Sequence, residues 1–313
     1  MSATSAFPTA LPTGTDRPRH QGDDALVNLY GYDPSLAAAI VYIVVFALIT
    51  LVQAVQVGRS RIWWLVVLCV GGIGEIVGWA GRAWASSNAY NINAFLIQII
   101  CLILAPCFFS AAVYGLLGVV VRSIGPKYSL LKPKFYLWLF CSLDLISLII
   151  QGIGGGMAAV ALQNDESSDK GSHIMLAGIC CQLVAMLVFC ALGLDVYRRA
   201  RADRSYRLRP HPQQGRLTAV SWGLAFSSFW ILLRCCYRVA ELAEGWEGYL
   251  IRTEPYFCVL DSMAMVFAQG IFIFTWPNNE KGFHSKTDET LPRTSSDSPN
   301  TREDGLDAEK QTV

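Results

Sequence analysis

The chain has 313 residues, of which 53% are hydrophobic and 16% are charged, with 25 Lys and Arg against 24 Asp and Glu. Soluble domains carry about 25% charged residues, and the apolar residues here form blocks of about 20 or more, long enough to cross a bilayer. This composition excludes an ordinary soluble domain. The net charge of +1 gives no indication of a basic surface for nucleic acid.

Seven apolar blocks, separated by polar segments, predict seven membrane-spanning helices. They follow a polar tail, residues 1–35, whose last five residues predict a turn into the first helix. A second polar tail, residues 277–313, is predicted to be disordered. The predicted spans are residues 36–57, 62–84, 93–121, 135–162, 173–197, 217–240 and 256–276. The sequence therefore predicts an all-α, polytopic seven-transmembrane-helix bundle.

Lys and Arg are distributed unevenly between the two sets of connecting segments. Eighteen lie in residues 58–61, 122–134 and 198–216 and in the C-terminal tail, whereas the opposite set holds four and the remaining three lie within helices. Because cytoplasmic segments are enriched in basic residues, the N-terminus is predicted to lie outside and the C-terminus in the cytoplasm. Residues 1–35 lack the apolar core of a signal peptide, so we expect the first span to act as its own insertion signal.

Charged residues inside the predicted spans are the candidate functional residues. On span six, Arg234, Arg238 and Glu241 follow at i, i+4 and i+7 and share one helical face. The whole outer set, which Gln98 can join, contains three bases and three acids: Glu75, Arg82, Arg234, Arg238, Glu241 and Asp261. Charges facing lipid are costly, so this layer is interpreted either as a paired ionic network or as a polar vestibule that meets a ligand.

Span four carries a second, deeper polar pair. Asp144 and Gln151 are seven residues apart and share a face. They either continue a polar path below the outer layer or form a helix–helix hydrogen bond. On span two, a stripe of small residues predicts the close approach of a neighbouring helix. The stripe consists of Gly71, Gly74, Gly78 and Gly81.

Several patterns that would indicate an enzyme or a cofactor site are missing from the sequence. It contains no Walker loop for nucleotide phosphates and no nucleophile elbow. All seven lysines lie outside the spans, which excludes a retinal Schiff base there, and the four histidines are scattered. The ten cysteines lie in or beside apolar stretches and are interpreted as packing residues. We therefore expect no enzymatic activity, no metal and no cofactor.

Taken together in their order, several stretches resemble the fungal RTA-like family, also called lipid-translocating exporters, over about residues 30–276. The stretches that carry the resemblance are Gly31-Tyr32-Asp33-Pro34-Ser35, Glu75 to Arg82, Leu104-Ala105-Pro106, Ala111 to Tyr114, Asp144 to Ser147, Gln151 to Gly156, the pattern Arg234-x-x-Tyr237-Arg238-x-x-Glu241-x-x-x-Gly245-Trp246-x-Gly248, and Glu254 followed by Tyr256 to Asp261. The family's His-Pro-Gly after span seven reads Trp276-Pro277-Asn278 here.

The resemblance implies export or translocation of sphingoid long-chain bases, or resistance to amphiphilic toxicants, and one branch of the family is linked to porphyrin uptake. We therefore expect a plasma-membrane lipid translocator, with a vacuolar or other internal membrane as the alternative location. Its partners would be membrane lipids and an amphiphilic small-molecule substrate. The alternative functions are a seven-helix lipid or stress sensor without transport activity, and a porphyrin or haem uptake protein.

For the translocator, each charged residue has an expected role. The ammonium group of the amphiphile would lie near Glu75, Asp261 or Glu241. The three arginines of the outer set would hold these acids ionised or bind an acidic headgroup. Because the sequence encodes no nucleotide site, movement would be downhill or coupled to an ion, and Asp144 is the candidate proton carrier.

Overall fold

The computed structural model describes residues 35–87, 92–163, 167–203, 214–244, 250 and 253–277. Within these ranges it contains seven apolar helices of 21–34 residues and no strands, which confirms the predicted helical bundle. The helices are α1 Leu36–Ser60, α2 Val66–Ser87, α3 Ile92–Ile124, α4 Pro133–Gln163, α5 Asp169–Ala202, α6 Gln214–Ala243 and α7 Glu254–Phe274. The predicted polar tails lie almost entirely outside the described residues, and the orientation in the membrane stays a prediction.

The start and end of α1 follow from its capping residues. The Ser35 hydroxyl accepts a hydrogen bond from the Ala38 amide at 3.2 Å, which satisfies one of the free N–H groups at the helix start. At the other end, Arg61 adopts a left-handed conformation (φ 56°) and its amide donates to the Val57 carbonyl. A short 3-10 turn, Trp63–Leu65, then leads into α2. The brief connection makes α1 and α2 antiparallel neighbours.

The helices close into a bundle in which each packs against the next one in the chain. In addition, α1 contacts α7 and α3 contacts α6. We call the end of the bundle at which α1 begins the proximal end, and the opposite end the distal end. Because successive helices alternate in direction, α2, α4 and α6 end at the proximal end, whereas α7 begins there.

Glycines allow two of the helix pairs to approach closely. The four glycines of the α2 stripe allow the close approach that the sequence predicts, and the helix that approaches is α3; a Cβ atom at Gly78, for example, would lie 2.6 Å from the Leu102 side chain. A second close approach joins α4 to α5, where a Cβ at Gly171 would lie 2.6 Å from the carbonyl oxygen of Gly154. The backbones of the two helices are in direct contact here, so an added Cβ could not be accommodated by moving a side chain.

The bundle carries its apolar side chains outward and many of its polar ones inward. Large apolar residues such as Leu51 (63% exposed) and Trp138 (75% exposed) cover the outside, as expected for a surface that contacts lipid. By contrast, Glu75, Arg82 and Asp261 are at most 2% exposed. The interior polar residues therefore need partners within the protein, since lipid provides none.

Candidate functional site

The centre of the site is an ion pair between α6 and α7. Arg234 Nε lies 3.1 Å from Asp261 Oδ1, within ion-pair distance, and Arg234 Nη2 donates a hydrogen bond of 3.4 Å to Asp261 Oδ2. Arg234 Nη2 also donates to the Leu102 carbonyl of α3 at 2.7 Å. Both side chains are more than 90% buried. One guanidinium therefore ties three helices together in the middle of the bundle.

Asp261 lies within a stretch of π-helix, Phe257–Met263, in the first half of α7. Such stretches are rare, and they frequently occur at functional sites. Within this stretch, the Cys258 carbonyl accepts a hydrogen bond from the Tyr42 hydroxyl of α1 at 2.6 Å. The π-helical stretch is therefore held by a hydrogen bond from α1, while its acid, Asp261, contacts α6.

A second ion pair closes the proximal end. Arg82 Nη2 of α2 lies 2.7 Å from Glu254 Oε1, and the same oxygen accepts from the Ser35 amide at 2.9 Å. The guanidinium carbon of Arg82 also lies 5.6 Å from the Trp79 ring centroid and 5.0 Å from that of Phe257, within cation–π range. Glu254 is absent from the sequence-predicted set. The sequence feature that could have identified Glu254 is its position immediately before Pro255 at the start of an apolar span. A carboxylate is stabilising at a helix N-terminus.

The third pair lies within α6. Arg238 Nη1 is 2.6 Å from Glu241 Oε2, and the Tyr237 hydroxyl donates to Glu241 Oε1 at 3.4 Å. Asp261 acts electrostatically on both members of this pair. The predicted shared face of Arg234, Arg238 and Glu241 is therefore found, but its residues divide between two ion pairs.

Glu75 of α2 is the acid that remains. It is 1% exposed, and its Oε1 atom has no hydrogen-bond partner among the described residues. Arg234 and Asp261 lie within electrostatic range of it. We call the seven residues the proximal charge cluster: Glu75, Arg82, Arg234, Arg238, Glu241, Glu254 and Asp261. The cluster holds four acids and three bases, and each base contacts one of the other three acids, so Glu75 is the acid that no base contacts.

The other predicted polar residues lie beside the cluster or apart from it. Gln98 is buried on α3, where its backbone nitrogen would be 3.0 Å from a Cβ at Gly81. Asp144 accepts a hydrogen bond from the Tyr114 hydroxyl at 3.1 Å, while its other oxygen is buried without a partner in the described part of the chain. Gln151 donates to Gln182 at 3.1 Å. The two positions of α4 thus contact α3 and α5 separately.

Sequence reasoning missed a polar seam between α1 and α7. Gln53 donates to the Gln269 carbonyl at 2.9 Å, and the Gln269 amide donates back to Gln53 Oε1, also at 2.9 Å. Nearer the distal end, Gln56 donates to the Ile273 carbonyl at 2.9 Å, and Trp276 donates to the Ser60 hydroxyl. The polar residues of α1 recur at three- to four-residue spacing, which was the available signal.

The distal end of this seam borders a groove between α1, α6 and α7. It has a volume of about 750 Å³ and is lined on its apolar side by Leu51, Val55 and Phe274. Arg59 and Arg216 also line it. This volume lies in the range of ligand pockets. Within the described ranges, no group of three or more His, Cys, Asp or Glu side chains is placed to hold a metal ion.

Comparisons with known proteins identify fungal relatives. A family model described as "RTA1 like protein" matches residues 68–282. The sphingoid long-chain base transporter RSB1 of Saccharomyces cerevisiae (strain Lalvin EC1118 / Prise de mousse) is 31% identical over 272 residues, covering 77% of this chain and 71% of that protein. Protein RTM1 of S. cerevisiae is 28% identical, covering 78% and 90% of the two chains. Protoporphyrin uptake protein 1 of S. cerevisiae is 27% identical, covering 76% and 88%. No solved structure matches the chain significantly.

Proposed function

Because this chain belongs to the RTA1 like protein family and is a multi-pass membrane protein, we propose that it translocates cationic amphiphiles across the plasma membrane. Its substrate class would be sphingoid long-chain bases, as the name of one relative states for that protein. In this proposal the proximal end faces outward, in agreement with the basic residues concentrated in the distal segments. The substrate's ammonium group binds in the proximal charge cluster, and its hydrocarbon chain lies along the apolar helix faces.

The burial of Glu75 without a contacting base is the observation that supports this proposal most directly. Arg82, Arg234 and Arg238 each contact a different carboxylate at 3.1 Å or less. A buried carboxylate without a partner is costly, so Glu75 requires either a proton or a cation. A long-chain base supplies that cation as an ammonium group with three N–H donors. Its hydrocarbon chain can pack against the apolar faces of the helices.

The same arrangement disfavours an anionic substrate at this site. A porphyrin brings carboxylates, which would have to compete with Glu241, Glu254 and Asp261 for the arginines of the cluster. Binding would then place further negative charge beside Glu75. The charge balance therefore favours base export over porphyrin uptake, although a relative named for protoporphyrin uptake is 27% identical.

Exchange of a proton for the substrate's ammonium group at Glu75 would couple transport to a proton gradient. The carboxyl group would carry a proton when the site is empty and would release it when an ammonium group binds. Asp144, with one buried oxygen unpartnered among the described residues and the other bonded to Tyr114, is a second group able to take up a proton along the path. Substrate and proton would then move in opposite directions.

The experiment is transport of a labelled long-chain base by purified protein in liposomes. We expect Glu75→Gln to abolish uptake while leaving the amount of folded protein unchanged, because glutamine matches the shape and neutrality of the protonated carboxyl group but cannot ionise to bind an ammonium group. Asp195→Asn is the matched control, since this acid of α5 pairs at the surface with Arg199 at 2.8 Å and lies outside the cluster. An N-acylated base, which lacks the ammonium group, should not be transported.

Several outcomes would contradict the proposal. Wild-type transport by Glu75→Gln, or equal transport of the N-acylated base, would refute ammonium binding at Glu75. In cells, normal efflux by all of Glu75→Gln, Asp144→Asn, Arg238→Ala and Asp261→Asn at wild-type surface levels would refute the role of the polar residues. Binding of the base without any movement in liposomes would favour the sensor.

A further inference from the structure

We propose that Trp79 and Ser262 recognise the hydroxyl groups of the amphiphile whose ammonium group binds at Glu75. The inference rests on the proposed function, since it concerns the headgroup of the same substrate, and it restricts that substrate to amino alcohols as distinct from simple alkylamines. It starts from three buried polar atoms that have no hydrogen-bond partner among the described residues: Glu75 Oε1, Trp79 Nε1 and Ser262 Oγ.

Trp79 is fully buried, and its neighbours contact the ring rather than the N–H group. The ring stacks on Tyr42 of α1 with 4.4 Å between the ring centroids, and the centroid of Phe257 of α7 lies 5.9 Å away. The guanidinium carbon of Arg82 lies 5.6 Å from the centroid of the same ring. A buried indole N–H usually has an acceptor. That of Trp79 has none in the described part of the chain and is therefore available to a ligand.

Ser262 does not make the hydrogen bond that a helical serine commonly makes. Such a hydroxyl often donates to the carbonyl four residues earlier, as Ser221 does to Leu217 at 2.8 Å. For Ser262 that carbonyl belongs to Cys258, and it accepts the Tyr42 hydroxyl at 2.6 Å. Ser262 is fully buried within the π-helical stretch, and its Oγ has no partner in the described ranges. Its hydroxyl can therefore bind a ligand as donor or as acceptor.

The three groups lie at neighbouring levels of α2 and α7. Trp79 contacts Phe257 between these helices, and Glu75 is about one turn from Trp79 towards the distal end. Because α7 runs antiparallel to α2, Ser262, about one turn after Phe257, also lies on the distal side of that contact. Asp261, the residue before Ser262, is within electrostatic range of Glu75. A headgroup with its ammonium group at Glu75 can therefore reach Trp79 and Ser262 with its hydroxyl groups.

The combination of donors and acceptors at this place selects among ligands. A long-chain base carries hydroxyl groups on the carbons beside the one that bears its ammonium group, so it can pair with Glu75, Trp79 and Ser262 together. A bare cation can use the oxygen atoms but not the indole N–H, which is only a donor. An alkylamine pairs with Glu75 and leaves the other two groups unpaired. A site that binds a hydroxyl group discriminates against a ligand without one for this reason.

The test compares transport of two labelled amines by the purified full-length protein in liposomes, corrected for protein-free liposomes. Sphinganine and octadecylamine share their chain length and their ammonium group, but only sphinganine carries hydroxyl groups. We expect the wild-type protein to transport sphinganine with the higher kcat/KM. Trp79→Phe and Ser262→Ala should each reduce this preference about fivefold, the effect of one lost hydrogen bond. Transport of octadecylamine should stay unchanged, whereas a merely structural defect would lower transport of both amines.

Trp230→Phe is the matched control for the loss of an indole N–H. Trp230 of α6 packs against Phe267 with 4.8 Å between the ring centroids, and its Nε1 atom also lacks a partner among the residues that the structure describes. This variant should keep the wild-type preference. Equal transport of the two amines by the wild-type protein, an undiminished preference in both test variants, a parallel loss of both amines in them, or an equal loss of preference in Trp230→Phe would each overturn the inference.

Glu75→Gln distinguishes this inference from the proposed function. If it abolishes transport of both amines while the wild-type protein shows no preference between them, the recognition of hydroxyl groups is refuted and ammonium binding at Glu75 stands. If it transports both amines at the wild-type rate, the proposed function is refuted and the inference with it.

Discussion

The ion pair between Arg234 and Asp261 should respond unequally to the removal of its two members. Arg234→Gln would leave Asp261 and Glu75 as neighbouring buried carboxylates with no base between them. Breaking a buried pair in this way typically costs about 3–5 kcal/mol. Asp261→Asn instead leaves Arg234 bonded to the Leu102 carbonyl and within electrostatic range of Glu75, which lacks a base of its own. We expect a cost of about 1–2 kcal/mol, the scale of an interhelical hydrogen bond in a membrane.

The free energy of unfolding in mixed detergent micelles provides the measurement for this comparison. Glu75→Gln, added to Arg234→Gln, should recover part of the lost stability because one of the two carboxylates disappears. Arg238→Gln is the control, since its pair with Glu241 lies within one helix and its side chain is 17% exposed. Equal losses for Arg234→Gln and Asp261→Asn, with no recovery from Glu75→Gln, would refute the assignment of Glu75 as the unpaired acid of the cluster.

Two further predictions concern the helix contacts that support the site. Gly154→Ala should destabilise the α4–α5 crossing by about 2 kcal/mol or more, because the new Cβ would lie 2.7 Å from the Gly171 carbonyl. Gly156→Ala, with no atom within 4 Å of the new Cβ, should be neutral or stabilising by about 0.5–1 kcal/mol; thermal unfolding of the two proteins compares them. Glu254→Gln should weaken the junction of α1, α2 and α7, and faster hydrogen exchange at the Ala38 amide is the expected result.

Much of the fold follows from local sequence pattern. An apolar block of sufficient length must form a helix in lipid, because only a helix satisfies its own backbone there. The number of helices can therefore be predicted without knowing which of them are in contact. The glycine stripe of α2 is readable for a similar reason, since four small residues on one face allow close approach by whichever neighbour lies there. The sequence did not indicate that this neighbour would be α3.

The contacts between helices that are distant in the chain could not be predicted from the sequence. Gln53 and Gln269 are 216 residues apart, and neither is unusual in its own helix. Only closure of the bundle between α1 and α7 makes them partners. Glu254 was missed for a related reason: the apolar pattern of span seven begins at Tyr256, whereas the helix itself begins two residues earlier. The predicted balance of three acids and three bases was thus one acid short.

The π-helical stretch explains how two acids of α7 form ion pairs with two different helices. Glu254 and Asp261 are seven residues apart, and in a regular α-helix they would point in nearly the same direction, within about 20°. In the structure Glu254 binds Arg82 of α2, whereas Asp261 binds Arg234 of α6. A π-helix takes more residues per turn, so it rotates Asp261 away from the direction of Glu254. This rotation gives Arg234 its carboxylate from α7 and leaves Glu75, on α2, as the acid without a base.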